Sequence, residues 1–261
     1  MSFFSKVLDS FTLSNALVYY GKDLDYQKAS RNDYIIIQPD YIDTNESNFL
    51  KYRDKMYAYI SVCEISPYIK EYKKIDKDWI LSENENWGSL VLDITNKEYQ
   101  EFLFKEMIEP RLSLGFKNFF FDTLDSYQLV CKSDTQREKY KIALIEFITL
   151  FHQTYPTAKL IINRGFEIIE SIYNHVEAIL FESYYFGLGS QKKPYEKVTD
   201  VDKMWLDIQI KKIQSYSLPI ISLEYLEESD MDKAVEAIKM IRSKGMIPYV
   251  SNRELNIYGI H

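Results

Sequence analysis

Histidine and cysteine are scarce in this chain, and each scarcity removes a chemistry. The two cysteines, Cys63 and Cys131, give no disulfide framework and no metal-ligand spacing. The three histidines, His152, His175 and His261, are scattered, and none closes a strand-like run. That argues against a His-based zinc centre and against Ser-His-Asp chemistry. No D-x-D-x-D-G loop occurs, so an oxygen-ligated calcium or magnesium site is not expected either. Basic patches interleaved with aromatics are missing, which speaks against a nucleic-acid partner. Met1 to Ala16 contains Asp9 and no continuous apolar core, so neither a signal peptide nor a membrane span is expected there. As given, the chain reads as cytoplasmic, or as secreted or periplasmic if a signal has been removed. No internal repeat, low-complexity segment or interdomain linker breaks it. No cofactor, metal or protein partner is implied.

What is present is an ordinary globular composition, 46% hydrophobic and 27% charged over 261 residues. That length suits one large core and does not force a split. Tyrosine (22) and phenylalanine (15) are abundant, and tyrosine serves both barrel cores and sugar-stacking surfaces. The net charge of −7 is compatible with a cationic substrate.

The chain is organised around Asn118-Phe119-Phe120-Phe121-Asp122-Thr123-Leu124-Asp125. Three successive aromatics read as a strand buried on both faces, because a solvated strand would alternate apolar and polar residues. The run stops at a carboxylate, where apolar walls meet solvent and acid–base properties can be tuned. Asp122 would equally well begin a turn or cap a helix. Seven further runs share the pattern of β-branched or aromatic residues bounded by turn signals. They are Ala16–Tyr20, Tyr34–Gln38, Met56–Val62, Lys159–Asn163, Ala178–Glu182, Pro219–Leu223 and Met246–Val250. Helical spacing is expected over Glu98–Leu114, Gln136–Tyr155, Phe166–Asn174, Val201–Tyr216 and Asp230–Lys244. Between the third and fourth runs lies an inserted loop around residues 65–95. It has a solvated, lysine-rich helix face at Lys70–Lys77 and one small strand at Leu90–Ile94. Trp79 and Trp87 within it would line a cleft or pack in the core. Eight strands alternating with helices predict an α/β fold, a single-domain (β/α)8 TIM barrel over residues 1–261. An open doubly wound sheet is less consistent, since the first strand turns through Tyr20-Gly21-Lys22-Asp23 with no G-x-G.

In such a barrel the site forms at the carboxyl ends of the strands. Those ends carry Tyr20, Gln38, Asp40, Glu64, Asp122, Asp125, Asn163, Glu182, Tyr184, Glu224, Tyr225, Asn252 and Arg253. Two carboxylates across a cleft are the machinery of glycoside hydrolysis. Asp122 and Glu182 form the best pair, because both end the most apolar strands and those strands have only the fifth between them. Glu64, Asp125 and Glu224 would hold a substrate hydroxyl or amine, or serve structurally. Asn163 and Asn252 would bond hydroxyls or cap helices. Tyr184, Tyr185 and Tyr225 would stack on sugar rings, or, for Tyr185, be buried.

Several segments together resemble family 114 glycoside hydrolases, the endo-α-1,4-polygalactosaminidases. They are Tyr19-Tyr20-Gly21, Ala58 through Glu64, Trp87-Gly88, Phe120 through Asp125, Ile162 through Gly165, Phe181 through Tyr184 and Ile247 through Leu255. The resemblance runs from about Leu17 to the C-terminus. It implies a (β/α)8 barrel that makes endo cuts in α-1,4-linked, partly deacetylated galactosamine polysaccharide. It also implies Asp122 as nucleophile and Glu182 as acid/base in a retaining route, with the carboxyl groups about 5–5.5 Å apart. Substrate contacts are expected from Tyr20, Glu64, Trp87, Asp125, Asn163, Tyr184, Glu224, Tyr225 and Asn252. One departure is Cys63, where the family usually has glycine, a difference bearing on the loop of Glu64. Two alternatives remain open at this level. One is a catalytically idle carbohydrate-binding barrel that handles exopolysaccharide; the other is a deacetylase acting on the same polymer.

Overall fold

A computed structural model describes residues 14–190 and 193–261. The expectation for the first sixteen residues falls almost wholly outside these. Eight parallel strands carry the fold: β1 (Ala16–Tyr19), β2 (Tyr34–Ile37), β3 (Met56–Ser61), β4 (Asn118–Asp122), β5 (Leu160–Asn163), β6 (Ala178–Glu182), β7 (Ile220–Tyr225) and β8 (Ile247–Ser251). In the sheet they keep their chain order, with helices between them, so the fold is a (β/α)8 barrel. Strands β1, β5, β7 and β8 are buried at every position, as expected of parallel strands covered on both faces.

Two compact units can be distinguished by their contacts: Ala58–Val176, and the chain up to Tyr57 together with Glu177–His261. In the latter, β6 pairs with β7 and β7 with β8, in a register that sets Glu182 opposite Leu223 and Tyr225 opposite Ser251. Two helices of this unit are α2 (Asp200–Ser215), capped by the Thr199 hydroxyl, and α3 (Met231–Ser243). A hairpin absent from the sequence reading, Phe186–Ser190 with Lys193–Lys197, follows β6. Gly187 is required there, because a Cβ at that position would lie 2.8 Å from the Ser183 hydroxyl.

In the other unit β4 pairs with β5. The long helix α1 (Asp134–Thr154) is capped by Ser133 and packs Leu144, Phe147 and Phe151 inward. Phe121 meets Phe151 edge to face with ring centroids 4.9 Å apart, which ties the aromatic strand to this helix. Leu150 of the same helix is 46% exposed.

The inserted segment departs from expectation in two ways. It holds three short strands rather than one, with Ser89–Leu92 between Glu64–Ile65 and Ile80–Asn84 in an antiparallel sheet. The lysine-rich run is a short 3-10 helix over Lys70–Lys74, and its Glu71 is buried against the Arg111 guanidinium at 3.1 Å. The helix expected over Glu98–Leu114 widens into a π-helical stretch at Leu103–Ile108. Pro110 explains this, because it lacks the N–H that an α-helix would direct to the Glu106 carbonyl. That carbonyl accepts from Arg111 at 3.0 Å instead.

Candidate active site

Asp122 is the last residue of β4 and is half-buried. Its Oδ1 accepts from Asn163 Nδ2 at 2.7 Å and from the Thr123 amide at 2.7 Å. Its Oδ2 accepts from the Tyr59 hydroxyl at 2.9 Å. An ionised carboxylate only accepts hydrogen bonds, so three donors suit its charged form and fix its direction. Tyr59 was missed from sequence. It sits inside β3 rather than at its end, and only its alternation along the strand could have marked it.

Thr123 was missed as well. It takes the left-handed region at φ 63°, a conformation that costs a β-branched residue free energy. Its hydroxyl accepts from the amides of Val62 and Cys63 at 3.1 and 2.9 Å and donates to the Asp122 carbonyl at 2.7 Å. The end of β3 is thereby tied to the end of β4. Arg164 after Asn163 (φ 56°) and Ser183 after Glu182 (φ 67°) repeat the device. Three strand-end residues of the expected set are thus each followed by a left-handed non-glycine residue.

Glu64, expected to touch substrate, is buried and saturated. It accepts from Asn84 Nδ2 at 3.0 Å, from Ser126 Oγ at 2.5 Å and from Ser89 Oγ. Its carboxylate binds the small antiparallel sheet to the segment after β4. Cys63 beside it is buried, and burial pushes its thiol well above the ordinary range, which keeps it uncharged. Asp125 lies close enough to Asp122 to feel its charge. Burial raises its carboxyl to about 6, against the lowering effect of Arg164 and the Gly165 amide.

Glu182 ends β6, and its Oε2 accepts from the Tyr225 hydroxyl at 2.7 Å. Tyr225 belongs to β7, which runs two residues further than the sequence pattern predicts. Its ring is buried, so its contribution is this hydroxyl rather than a stacking face. Tyr184 is buried too. Its hydroxyl donates to Asp207 at 2.6 Å, and the Lys244 ammonium lies 5.2 Å from its ring centre. The expected sugar stacking by Tyr184 therefore gives way to a packing role. Glu224 is 0% exposed and accepts from the Ser222 hydroxyl and the amides of Tyr184, Tyr185 and Phe186.

The remaining expected residues lie at the surface or close to it. The Tyr20 amide donates to the Leu255 carbonyl at 2.6 Å. Asn252 accepts from the Asn256 amide and donates to its side chain, closing a turn after β8. Trp87 is 58% exposed at the tip of its hairpin, whereas Trp79 packs against Tyr99 and Phe102 in the core. Among the described residues no group of three or more His, Cys, Asp or Glu side chains is disposed to hold a metal ion. None of the described helices is long and apolar enough to cross a membrane.

The comparisons with known proteins point one way. The family model of glycoside-hydrolase family GH114 matches residues 21–261. The glycoside hydrolase domain of PelA from Pseudomonas aeruginosa superposes with a TM-score of 0.85 at 25% identity, covering 95% of this chain and 98% of that one. Ega3 from Aspergillus fumigatus, solved in complex with galactosamine, superposes with a TM-score of 0.67 at 12% identity, covering 95% and 93%, and shows the shared fold alone. A comparison with curated proteins gave no match. A family match over nearly the whole length, a barrel fold and strand-end carboxylates held by hydroxyl and amide donors lead to one conclusion: this chain belongs to glycoside-hydrolase family GH114 and is a glycoside hydrolase.

Proposed function

We propose that this hydrolase makes endo cuts in α-1,4-linked, partly deacetylated galactosamine polysaccharide, by a retaining route that uses Asp122 and Glu182. The observation carrying the assignment of roles is the threefold hydrogen bonding of Asp122. A nucleophile must be ionised and aimed, and these donors supply both conditions. The Asp122 carboxylate attacks the anomeric carbon while Glu182 gives its proton to the departing glycosidic oxygen, leaving a glycosyl ester on Asp122. Water then attacks that carbon, Glu182 takes its proton, and the ester bond breaks. The galactosamine bound to the structurally similar Ega3 and the net charge of −7 support an amino-sugar polymer as substrate.

Tyr20, Trp87, Asp125, Asn163 and Asn252 are the proposed substrate contacts. Glu64, Tyr184, Glu224 and Tyr225 serve the site by holding its other parts. The whole chain is read as one catalytic domain, since the family match covers residues 21–261.

The test is reducing-end release from a partly deacetylated galactosamine polymer, with the anomer first formed followed by NMR. Release of the α-anomer by the wild type, lost in Asp122→Asn and Glu182→Gln, is the expected result. Initial β-product would overturn the retaining route. Tight binding without release would overturn endo-cleavage of this polymer and favour a carbohydrate-binding role or a different glycan.

A further inference from the structure

Strand β7 presents successive residues to opposite faces of the sheet. Tyr225 meets the Glu182 carboxylate at 2.7 Å. Ser222 and Glu224 share the other face, where the Ser222 hydroxyl donates to Glu224 Oε1 at 2.7 Å. The Glu224 carboxylate also takes the amides of Tyr184 at 3.0 Å, Tyr185 at 2.8 Å and Phe186 at 2.7 Å. Consecutive amides of this kind form a concavity that elsewhere binds phosphate or other anions. Here the anion is built into the protein. Burial raises the Glu224 carboxyl and the four donors oppose that rise.

The three amides begin two residues after Glu182. Between them lies Ser183, held at φ 67°. A serine there relaxes toward negative φ unless its neighbours are fixed on both sides. On one side the Ser183 amide is bound to the Leu223 carbonyl at 2.8 Å. On the other, Tyr184 is anchored through Asp207, and Phe186 packs against the cluster of Leu226, Ala234 and Val250. The last two anchors hold side chains; Glu224 holds the backbone itself.

We propose that Glu224 is a positioning residue for the reaction, an internal anion that fixes the chain after β6 and thereby holds Glu182 where it can protonate the leaving oxygen. This rests on the reading of Glu182 as acid/base.

The dependence on leaving group tests it. A positioned acid matters for a sugar alcohol leaving group and hardly at all for dinitrophenolate, which departs unprotonated. Glu224→Gln keeps the volume but turns an amide N–H toward the backbone donors. It should lower kcat on the galactosamine polymer about 100-fold, with KM within about threefold. On a 2,4-dinitrophenyl glycoside of a galactosamine oligomer the loss, read on the step that forms the glycosyl-enzyme, should stay within about fivefold. Ile148→Ala, which opens a cavity under α1, the helix packed on the aromatic strand β4, supplies a control of reduced stability and should lower both substrates equally per folded molecule. If Glu224→Gln does not fold, Ser222→Ala removes one donor and should show the same leaving-group pattern at about a tenfold loss. Equal losses on both substrates, or unchanged kcat per folded molecule, would overturn the proposal. Equal losses in Glu182→Gln itself would instead show that the acid/base reading has failed.

Discussion

Asp122 and Glu182 invite comparison with Glu64 and Glu224, because all four stand at or just beyond the carboxyl ends of barrel strands. Asp122 and Glu182 are half-buried, and each receives a tyrosine hydroxyl on its carboxylate, from Tyr59 and Tyr225. Glu64 and Glu224 are buried, with three and four donors converging on them from neighbouring chain segments. On the proposed mechanism the same functional group does chemistry in one setting and construction in the other. Burial decides which, because a fully enclosed and saturated carboxylate cannot meet a substrate, whereas removing it leaves donors stranded.

The sharpest way to break the comparison is to neutralise the first pair. Asp122→Asn and Glu182→Gln should each lower kcat on polymer by about 10³-fold or more while costing less than about 1 kcal/mol of stability. Reducing-end assays with parallel urea denaturation separate the two effects. If either variant unfolds readily and retains turnover once refolded, the division is wrong. Glu64→Ala should behave in the opposite sense. It strands the donors of Asn84, Ser89 and Ser126, and the expected loss is about 3 kcal/mol of unfolding free energy, with a smaller effect on kcat per folded molecule.

Tyr59→Phe probes how Asp122 is held. Loss of one of three donors should reduce kcat about 10- to 50-fold with little change in KM, measured on the same polymer. Asp125 gives the smallest expected effect and one that depends on pH. Burial raises its carboxyl to about 6, above the value of about 3.9 in an unfolded chain. Between those values the folded state binds more protons than the unfolded state. The stability this group contributes is therefore full below about pH 4 and is lost as pH rises through about 6. Asp125→Asn should raise stability by about 1–2 kcal/mol at pH 7 and by almost nothing at pH 4. Thermal unfolding at the two pH values reads this directly, and an equal gain at both would refute it.

Much of this architecture was legible in the chain. Phe119-Phe120-Phe121 announced a doubly buried strand, and that strand is β4 with Asp122 at its end. The β6 pattern, Ala178 through Glu182, matched residue for residue. Where the reading fell short, the cause was physical. The end of β7 was misplaced because Glu224 and Tyr225 look polar, yet each is satisfied inside by partners on other segments. The widened turn at Leu103–Ile108 was missed although Pro110 stood in plain view, because apolar spacing there remains helical. The hairpin after β6 was hidden because Gly187 and Gly189 weaken the strand signal of Phe186 and Leu188, and its pairing rests on partner residues.

What the sequence alone determined was the set of strand-end carboxylates and the alternation of strand and helix. Both follow from local rules, since burial on two faces demands apolar runs and a parallel sheet demands crossover helices. What only the tertiary structure decided was the surroundings of each carboxylate. Those depend on donors distant in the chain: Tyr59 and Asn163 for Asp122, Ser126 and Asn84 for Glu64, and three amides after β6 for Glu224. A carboxylate's role is set by the groups brought around it and by the water removed, and neither is a property of its own neighbourhood in sequence.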